Sequence, residues 1–318
     1  MIAITLAHTD AVMALFRKEL EDHADYLFAS LSDLCNQLAD PEEIGYVHLL
    51  LDHAGTLMTA HPDELDVLKS GLDALIPQGD FSKKRSGLRD DLLQALDYSG
   101  LRAVFFPAYF QKLGIKSCVY CNALLTVSVE RVKKGSRKFR AKFQADHYYA
   151  KSENPGLSIS LYNLYPVCAN CNLAKGIKKI KFRLFEPSSG PSPAFRFALK
   201  DGCRVLYLLH RDINLLEIGF SEPAAVKGFE SFNTVFDIEG IYQTQLDVAE
   251  ELILKAEAYT EAYKAILRHQ YPRIFSSEAV INRMLIGNYV GPDEIHKRPL
   301  AKFMRDISLD IGLLPPDP

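Results

Sequence analysis

Four cysteines arranged as two Cys-x-x-Cys pairs could do the best-defined chemistry in the chain. Cys118 and Cys121 form the first pair, Cys168 and Cys171 form the second, and 46 residues lie between the pairs. Each short turn directs two thiolates toward one point, so two turns supply the four ligands of a tetrahedral zinc ion. Because protein would fill all four positions, we expect a structural zinc site rather than a catalytic one.

Other interpretations of the cysteines stay open. Two unrelated pairs are one, and a thioredoxin-like redox motif is another, although neither pair lies in a βαβ pattern. Cys35 and Cys203 stand alone and are interpreted as ordinary buried thiols. The sequence has no signal-type N-terminus and no run of about 20 apolar residues, so we expect a cytoplasmic protein without membrane contact. A reducing compartment favours metal-bound cysteines over disulfides.

A second group of residues with possible chemistry lies among the cysteines. Asp146 and His147 are adjacent, Asn163 follows them, and Asn172 comes directly after Cys171. Taken singly, a surface histidine and a helix-surface amide are the simpler interpretations. Their order resembles the motif of the HNH endonuclease family, in which Asp-His is followed by Asn-Leu-x-x-x-Cys-x-x-Cys-Asn-x-x-Lys-Gly. The resemblance covers about residues 116–180, a fifth of the chain.

The resemblance implies a ββα-metal fold and a metal-dependent endonuclease that hydrolyses phosphodiester bonds of nucleic acid, with DNA favoured over RNA. It implies that His147 is the general base and that Asp146 and Asn172 hold one Mg²⁺ or Mn²⁺. Asn163 would brace the loop so that His147 stays oriented. Many members of the family have histidine where this chain has Asn172. An amide oxygen there favours a hard cation over zinc.

The charge distribution also points to a phosphate partner. Residues 116–183 contain 14 Lys and Arg against three acidic residues, a net charge of +11, while the rest of the chain carries −14. A basic island in an acidic chain is typical of a nucleic-acid surface, although a solvated basic face is the alternative. The side chains that we expect to contact phosphates are Lys133, Lys134, Arg137, Lys138, Arg140, Lys142, Lys175, Lys178 and Lys179.

These residues need elements that position them, and the patterns predict an α+β chain in three regions. Residues 1–115 are predicted to be helical, 116–183 to form the HNH domain, and 184–318 to be mixed but mostly helical. Within the centre we expect a β-hairpin from 124–132 and 138–145, and a short helix over 168–177 closed by Gly176. Farther on we expect strands at 194–199, 204–210 and 217–220, and one long helix over 243–269.

The flanks are larger than an HNH core needs. The architecture, together with residues 297–307, resembles HNH effectors of bacterial anti-phage systems such as Septu, which implies an ATPase as partner. A restriction-type DNA endonuclease and a non-catalytic zinc-dependent nucleic-acid-binding module are the alternatives. One HNH centre cuts one strand, so a homo-oligomer is also compatible with the sequence.

Overall fold

The structure, a computed structural model, describes residues 1–133, 136–186 and 195–316. Within these residues it mixes helices with short strands, which confirms the predicted α+β class. The helices are α1 Leu6–Met13, α2 Arg17–Gln37, α3 Pro41–Asp52, α4 Pro62–Leu75, α5 Ser86–Ala95, α6 Tyr98–Ala103, α7 Phe105–Leu113, α8 Ala169–Lys175, α9 Cys203–His210, α10 Phe232–Phe236, α11 Ile238–Gln243, α12 Leu246–Ala258, α13 Glu261–Gln270, α14 Glu278–Ile286 and α15 Ala301–Asp310. The strands are β1 Ile4–Thr5, β2 Val127–Lys133, β3 Ser136–Lys142, β4 Gln144–His147, β5 Leu164–Val167, β6 Phe185–Glu186, β7 Arg196–Leu199 and β8 Ile218–Ser221.

The N-terminal helices begin at residues that can satisfy free backbone N–H groups. The Asp40 carboxylate accepts hydrogen bonds from the backbone N–H groups of Glu42 and Glu43 and so caps α3. Proline at the first position of α3 and of α4 needs no such partner, because it has no N–H. In α2 the leucines at 27, 31 and 34 are buried on one face, as their spacing of four and three requires.

The central region contains two antiparallel strand pairs followed by a helix. Strands β2 and β3 form the predicted hairpin with narrower bounds, and Val127 pairs with Lys142 in its register. Residues 134–135, the middle of the turn predicted over 133–136, lie outside the described residues. Strand β4 pairs with β5, and His147 faces Leu164 in the register. Helix α8 follows β5 directly, packs against β4, and ends at Gly176, whose φ is 50°. The order is therefore strand, strand, helix.

Two predictions for the C-terminal third are wrong. Residues 204–210 form helix α9 rather than a strand, because the buried pair Cys203 and Tyr207 is four residues apart and belongs to one helical face. The predicted long helix over 243–269 is divided into α12 and α13. The break occurs at Thr260, whose hydroxyl accepts a hydrogen bond from the Tyr263 N–H and starts a new helix.

The core runs through all three predicted regions without interruption. Buried apolar residues from Met1 to Leu314 belong to one continuous cluster. The parallel pair of β1 and β6 ties the start of the chain to the segment after α8, and β7 pairs antiparallel with β8. Helices from both flanks pack on the central region: α7 contacts β2 and β3, and α10 contacts α8. In the described part of the chain, no helix is long and apolar enough to cross a membrane.

Candidate metal centre and the adjoining Asp-His pair

The four paired cysteines converge on one point. The sulfur atoms of Cys118, Cys121, Cys168 and Cys171 all lie within 4.8 Å of one another, and all four residues are buried. Four sulfurs around a zinc ion at ~2.3 Å are separated by ~3.8 Å in a regular tetrahedron. The Sγ atoms of Cys121 and Cys168 are 4.0 Å apart, close to that spacing. The thiol set and its geometry therefore fit a zinc ion, as the sequence predicts.

Backbone N–H groups aimed at the sulfurs shape the two turns, which we call knuckles 1 (residues 118–121) and 2 (residues 168–171). The N–H of Cys168 donates to the Cys118 sulfur at 3.3 Å, and the N–H groups of Cys171 and Ala123 donate to the sulfurs of Cys168 and Cys121 at 3.5 Å. Hydrogen bonds from Cys118 and its neighbours hold the pKa of the Cys168 thiol far below its usual value. Burial raises the pKa of Cys118, and hydrogen bonds from the other thiols raise the pKa of Cys171, so the cluster without a cation is only partly thiolate and a bound zinc ion would displace the remaining thiol protons.

Knuckle 1 is held from outside by residues that sequence reasoning missed. Asn122 follows it with a left-handed backbone, φ 53°, a conformation that asparagine tolerates better than most residues. Its side-chain amide donates to Ser117 Oγ and to the Ile295 carbonyl, and its Oδ1 accepts from the Lys302 N–H. Tyr242 donates to the Cys121 carbonyl at 2.8 Å. The only sequence signal was the presence of asparagine directly after a Cys-x-x-Cys turn.

Asp146 lies beside the cluster in a buried, charge-balanced setting. Its Oδ2 accepts a hydrogen bond from the Tyr120 hydroxyl at 2.6 Å and lies 3.2 Å from the Lys175 ammonium. The same ammonium donates to the His147 carbonyl at 2.7 Å. Burial raises the pKa of Asp146, whereas Lys175 and Tyr120 oppose that shift by stabilising the carboxylate. Tyr120 is one of the two residues between Cys118 and Cys121, so its hydrogen bond connects knuckle 1 directly to the Asp146 carboxylate.

His147 is enclosed by its own loop and by the N-terminal helices. Its side chain is only 4% exposed, and Nε2 lies 3.0 Å from the Ser158 carbonyl. A neutral imidazole donates there from Nε2, which leaves Nδ1 as the acceptor. Tyr98, at the start of α6, lies over the imidazole with 5.7 Å between ring centroids. Burial lowers the pKa of His147 to about 3, so the ring is neutral near pH 7 and weakly basic in this conformation.

Asn163 braces the loop between β4 and β5. Its Oδ1 accepts from the Tyr149 N–H at 2.7 Å, and its Nδ2 donates to the carbonyls of Leu157 and Tyr149 at 2.9 and 3.3 Å. Three bonds from one buried amide fix the backbone that follows His147, because each replaces a contact that the loop would otherwise make with water. That these bonds keep His147 oriented stays a prediction.

The predicted ligands of a catalytic cation are Asp146, which is buried at the end of β4, and Asn172, which is half-buried on α8. Asn172 lies one turn before Lys175 on this helix, and the helix packs against β4. Carboxylate and amide oxygens suit Mg²⁺ or Mn²⁺, so the donor chemistry fits such an ion. A cation there would compete with Lys175 for Asp146. Apart from the cysteine cluster, the described residues contain no group of three or more His, Cys, Asp and Glu arranged to hold a metal.

The nine basic residues predicted to contact phosphate fall into three sets: exposed, buried and outside the described side chains. Arg140, Lys142, Lys178 and Lys179 are exposed. Lys175 does not fit a phosphate-binding role, because it is 1% exposed and pairs with Asp146. Lys134 lies outside the described residues, as do the side chains of Lys133, Arg137 and Lys138.

Comparison of the chain with models of known families, with curated proteins and with solved structures gives no match. The geometry of the site therefore has to carry any functional conclusion.

Proposed function

We propose that the chain is a metal-dependent endonuclease of the HNH type that hydrolyses phosphodiester bonds, with DNA as the preferred substrate. The supporting observation is a single strand–strand–helix unit that joins the Asp-His pair to the cysteine cluster. Strand β4 ends in Asp146 and His147, β5 leads into Cys168, and α8 carries Asn172. Because knuckle 2 begins α8 and the Val119 N–H of knuckle 1 donates to the Pro166 carbonyl of β5, the cluster would hold the junction of β5 and α8 in place.

In this proposal each side chain has a defined task. His147, neutral near pH 7, would accept a proton from the attacking water. Asp146 and Asn172 would hold Mg²⁺ or Mn²⁺, and the bound ion would stabilise negative charge on the phosphate and the leaving oxygen. Asn163 is a positioning residue, since it contacts only backbone in the loop. The burial of His147 requires that α6 and its Tyr98 move aside when substrate binds.

The hairpin supports a polyanionic substrate. Arg131 on β2 and Arg140 and Lys142 on β3 are exposed basic side chains of one two-stranded ribbon. A row of phosphates would pair with this exposed positive charge, and contacts to phosphate need not read the base sequence.

The proposal is tested with supercoiled plasmid and zinc-loaded protein in Mg²⁺ or Mn²⁺. We expect His147→Ala to lose cleavage by about 10²–10⁴-fold, the contribution of a general base. His48→Ala is the matched control, because His48 is exposed on α3, outside the site. Zinc content and thermal unfolding of both variants should equal those of the wild type. Cleavage by His147→Ala at the wild-type rate would exclude His147 as the base.

A second candidate is a zinc-dependent nucleic-acid-binding module without catalysis. The observation that favours it is the closed state of the pair: Lys175 neutralises Asp146, and His147 is covered. Zinc-loaded wild-type protein that binds plasmid in a salt-dependent manner, and cuts neither DNA nor RNA with either cation, would support this module over the nuclease.

A further inference from the structure

A cleft of about 260 Å³ borders the loop that directly follows the Asp-His pair, and the roles proposed above leave it unused. Its walls come from α4, from the loop after β4 and from the segment after α8. Tyr148 and Tyr149 follow His147 directly, and Ile177 comes two residues after Lys175. Asn163 holds the backbone of Tyr149 on both sides. The cleft is therefore built on the same loop and helix end that position Asp146 and His147.

A fixed polar network lines one side of this cleft. Arg183 Nη2 donates to the Asp66 carboxylate at 2.9 and 2.7 Å and to the Tyr149 hydroxyl at 3.2 Å. The Tyr149 hydroxyl in turn donates to Asp66. The guanidinium lies over the Tyr148 ring, 4.9 Å from its centroid. Donors and acceptors are thus held in one orientation before any ligand arrives, which reduces the entropy cost of binding.

The charges of the lining balance one another. Asp66 neutralises Arg183, and Lys69 pairs with Asp73 while lying over the Tyr149 ring at 5.2 Å. Lys179 and Glu153 contribute one charge of each sign. A phosphate would gain little net attraction in such a site. A neutral planar ligand with hydrogen-bonding edges suits it better, because the lining offers both polar groups and ring faces.

Exposed apolar side chains complete the lining. Phe229 is 39% exposed and Ile177 is also exposed, and both line the cleft. Nucleobases that have left the helical stack are commonly bound against aromatic side chains and arginine planes. We propose that the cleft takes one unstacked nucleobase of a single-stranded or extruded nucleotide, whose neighbouring phosphate would be attacked by the water that His147 activates. This inference rests on the proposed nuclease function and specifies its substrate.

The test uses the full zinc-loaded chain with His147→Ala, so that binding is measured without cleavage. The probe is a single-stranded hexadeoxynucleotide with 2-aminopurine at alternate positions, whose fluorescence falls when the base stacks on an aromatic ring. We expect quenching on binding, and we expect Phe229→Ala to weaken the Kd about tenfold, the usual scale for one base stacked on an aromatic residue. Leu173→Ala is the matched control, since Leu173 is 85% exposed on α8 and lies outside the cleft lining.

Three results would overturn the cleft assignment: no binding of the probe, binding without quenching, or an equal Kd in Phe229→Ala and Leu173→Ala. Plasmid cleavage by protein with intact His147 tests the nuclease separately. If protein with intact His147 cuts plasmid, and Phe229→Ala leaves the Kd of the probe unchanged, the nuclease proposal holds and the cleft assignment is wrong. If Phe229→Ala reduces quenching, but protein with intact His147 cuts no substrate, the base-binding site holds and the nuclease proposal is wrong.

Discussion

The cysteine cluster and the Asp-His pair belong to the same strand–strand–helix unit, but their charges are balanced in opposite ways. The cluster brings together four cysteine sulfurs whose negative charge, once all four bind as thiolates, needs a cation to balance it. Asp146 is already matched within the chain, by the Lys175 ammonium and the Tyr120 hydroxyl. We therefore expect the first site to depend on an external ion for its stability, whereas the second is charge-balanced without one and, in the proposed nuclease, would have to open before it could react.

Loss of zinc from the cysteine cluster should destabilise the fold more than any change at the Asp-His pair. With Cys121→Ser, or after chelation, we expect the chain to lose its cooperative fold, because apparent zinc-binding energies of about 10–16 kcal/mol equal or exceed a typical folding free energy of about 5–15 kcal/mol. Zinc content by mass spectrometry and thermal unfolding by circular dichroism measure the result. Cys35→Ser is the control, since Cys35 is a half-buried thiol outside the cluster. A cooperative, wild-type melting curve in zinc-free protein would show that the cluster is not structural.

Breaking the buried ion pair of Lys175 and Asp146 should cause the next largest loss of stability. Lys175→Met leaves the Asp146 carboxylate buried without its cation, so we expect the free energy of unfolding to fall by about 3–5 kcal/mol. The double variant Asp146→Asn with Lys175→Met removes both charges and should recover most of that loss. Urea unfolding of zinc-loaded protein gives the numbers, with the exposed Lys178→Met as the control. A loss below about 1 kcal/mol for Lys175→Met, the size of a surface pair, would contradict the role of this pair.

The smallest expected effect is a pH dependence of the free energy of unfolding, which arises at His296 near the cysteine cluster. The carbonyl of His296 accepts from the N–H groups of Lys116 and Ser117, next to knuckle 1, and its ring contacts the Ile2 carbonyl. Burial lowers the pKa of His296 to about 4, against about 6.5 in an unfolded chain. Between these values only the unfolded state binds the proton. Stability from this group is therefore complete above pH 6.5 and falls as the pH drops toward 4.

Between pH 7.5 and 5.5 this difference amounts to about 1.4 kcal/mol for one histidine. Urea unfolding at the two pH values should show it in the wild type, together with the contributions of other groups. His296→Gln keeps a donor for Ile2 but cannot titrate, so its pH dependence should be smaller by that amount. The same pH slope in both proteins would mean that His296 is not held neutral by the fold.

Much of the central unit could be predicted from sequence because its signals are local. A Cys-x-x-Cys turn defines its own geometry, and Gly176 marks the end of α8 at the predicted residue. The hairpin of β2 and β3 also follows from local alternation. These features depend on neighbours within a few residues, so a single sequence carries enough information to place them.

Contacts between distant segments could not be predicted in this way. Lys175 lies in a basic stretch with Lys178 and Lys179, and nothing in the sequence separates the buried member from the exposed ones. Its direction follows from the packing of α8 on β4. The cover that Tyr98 places over His147 likewise depends on how the N-terminal helices dock. The break at Thr260 was missed because the apolar pattern continues across it.

The hydrogen bonds of Asn122 to the C-terminal segment have a consequence for folding during synthesis, because that segment is translated last. A nascent chain that has reached residue 171 already contains all four cysteines and could capture an ion. Asn122, directly after knuckle 1, lacks its contacts to Ile295, Leu300 and Lys302 until more than a hundred further residues have been translated. The contacts that support knuckle 1 from the C-terminal segment therefore form last. A polypeptide truncated by a premature stop between residues 171 and 295 would contain all four cysteines but lack these contacts.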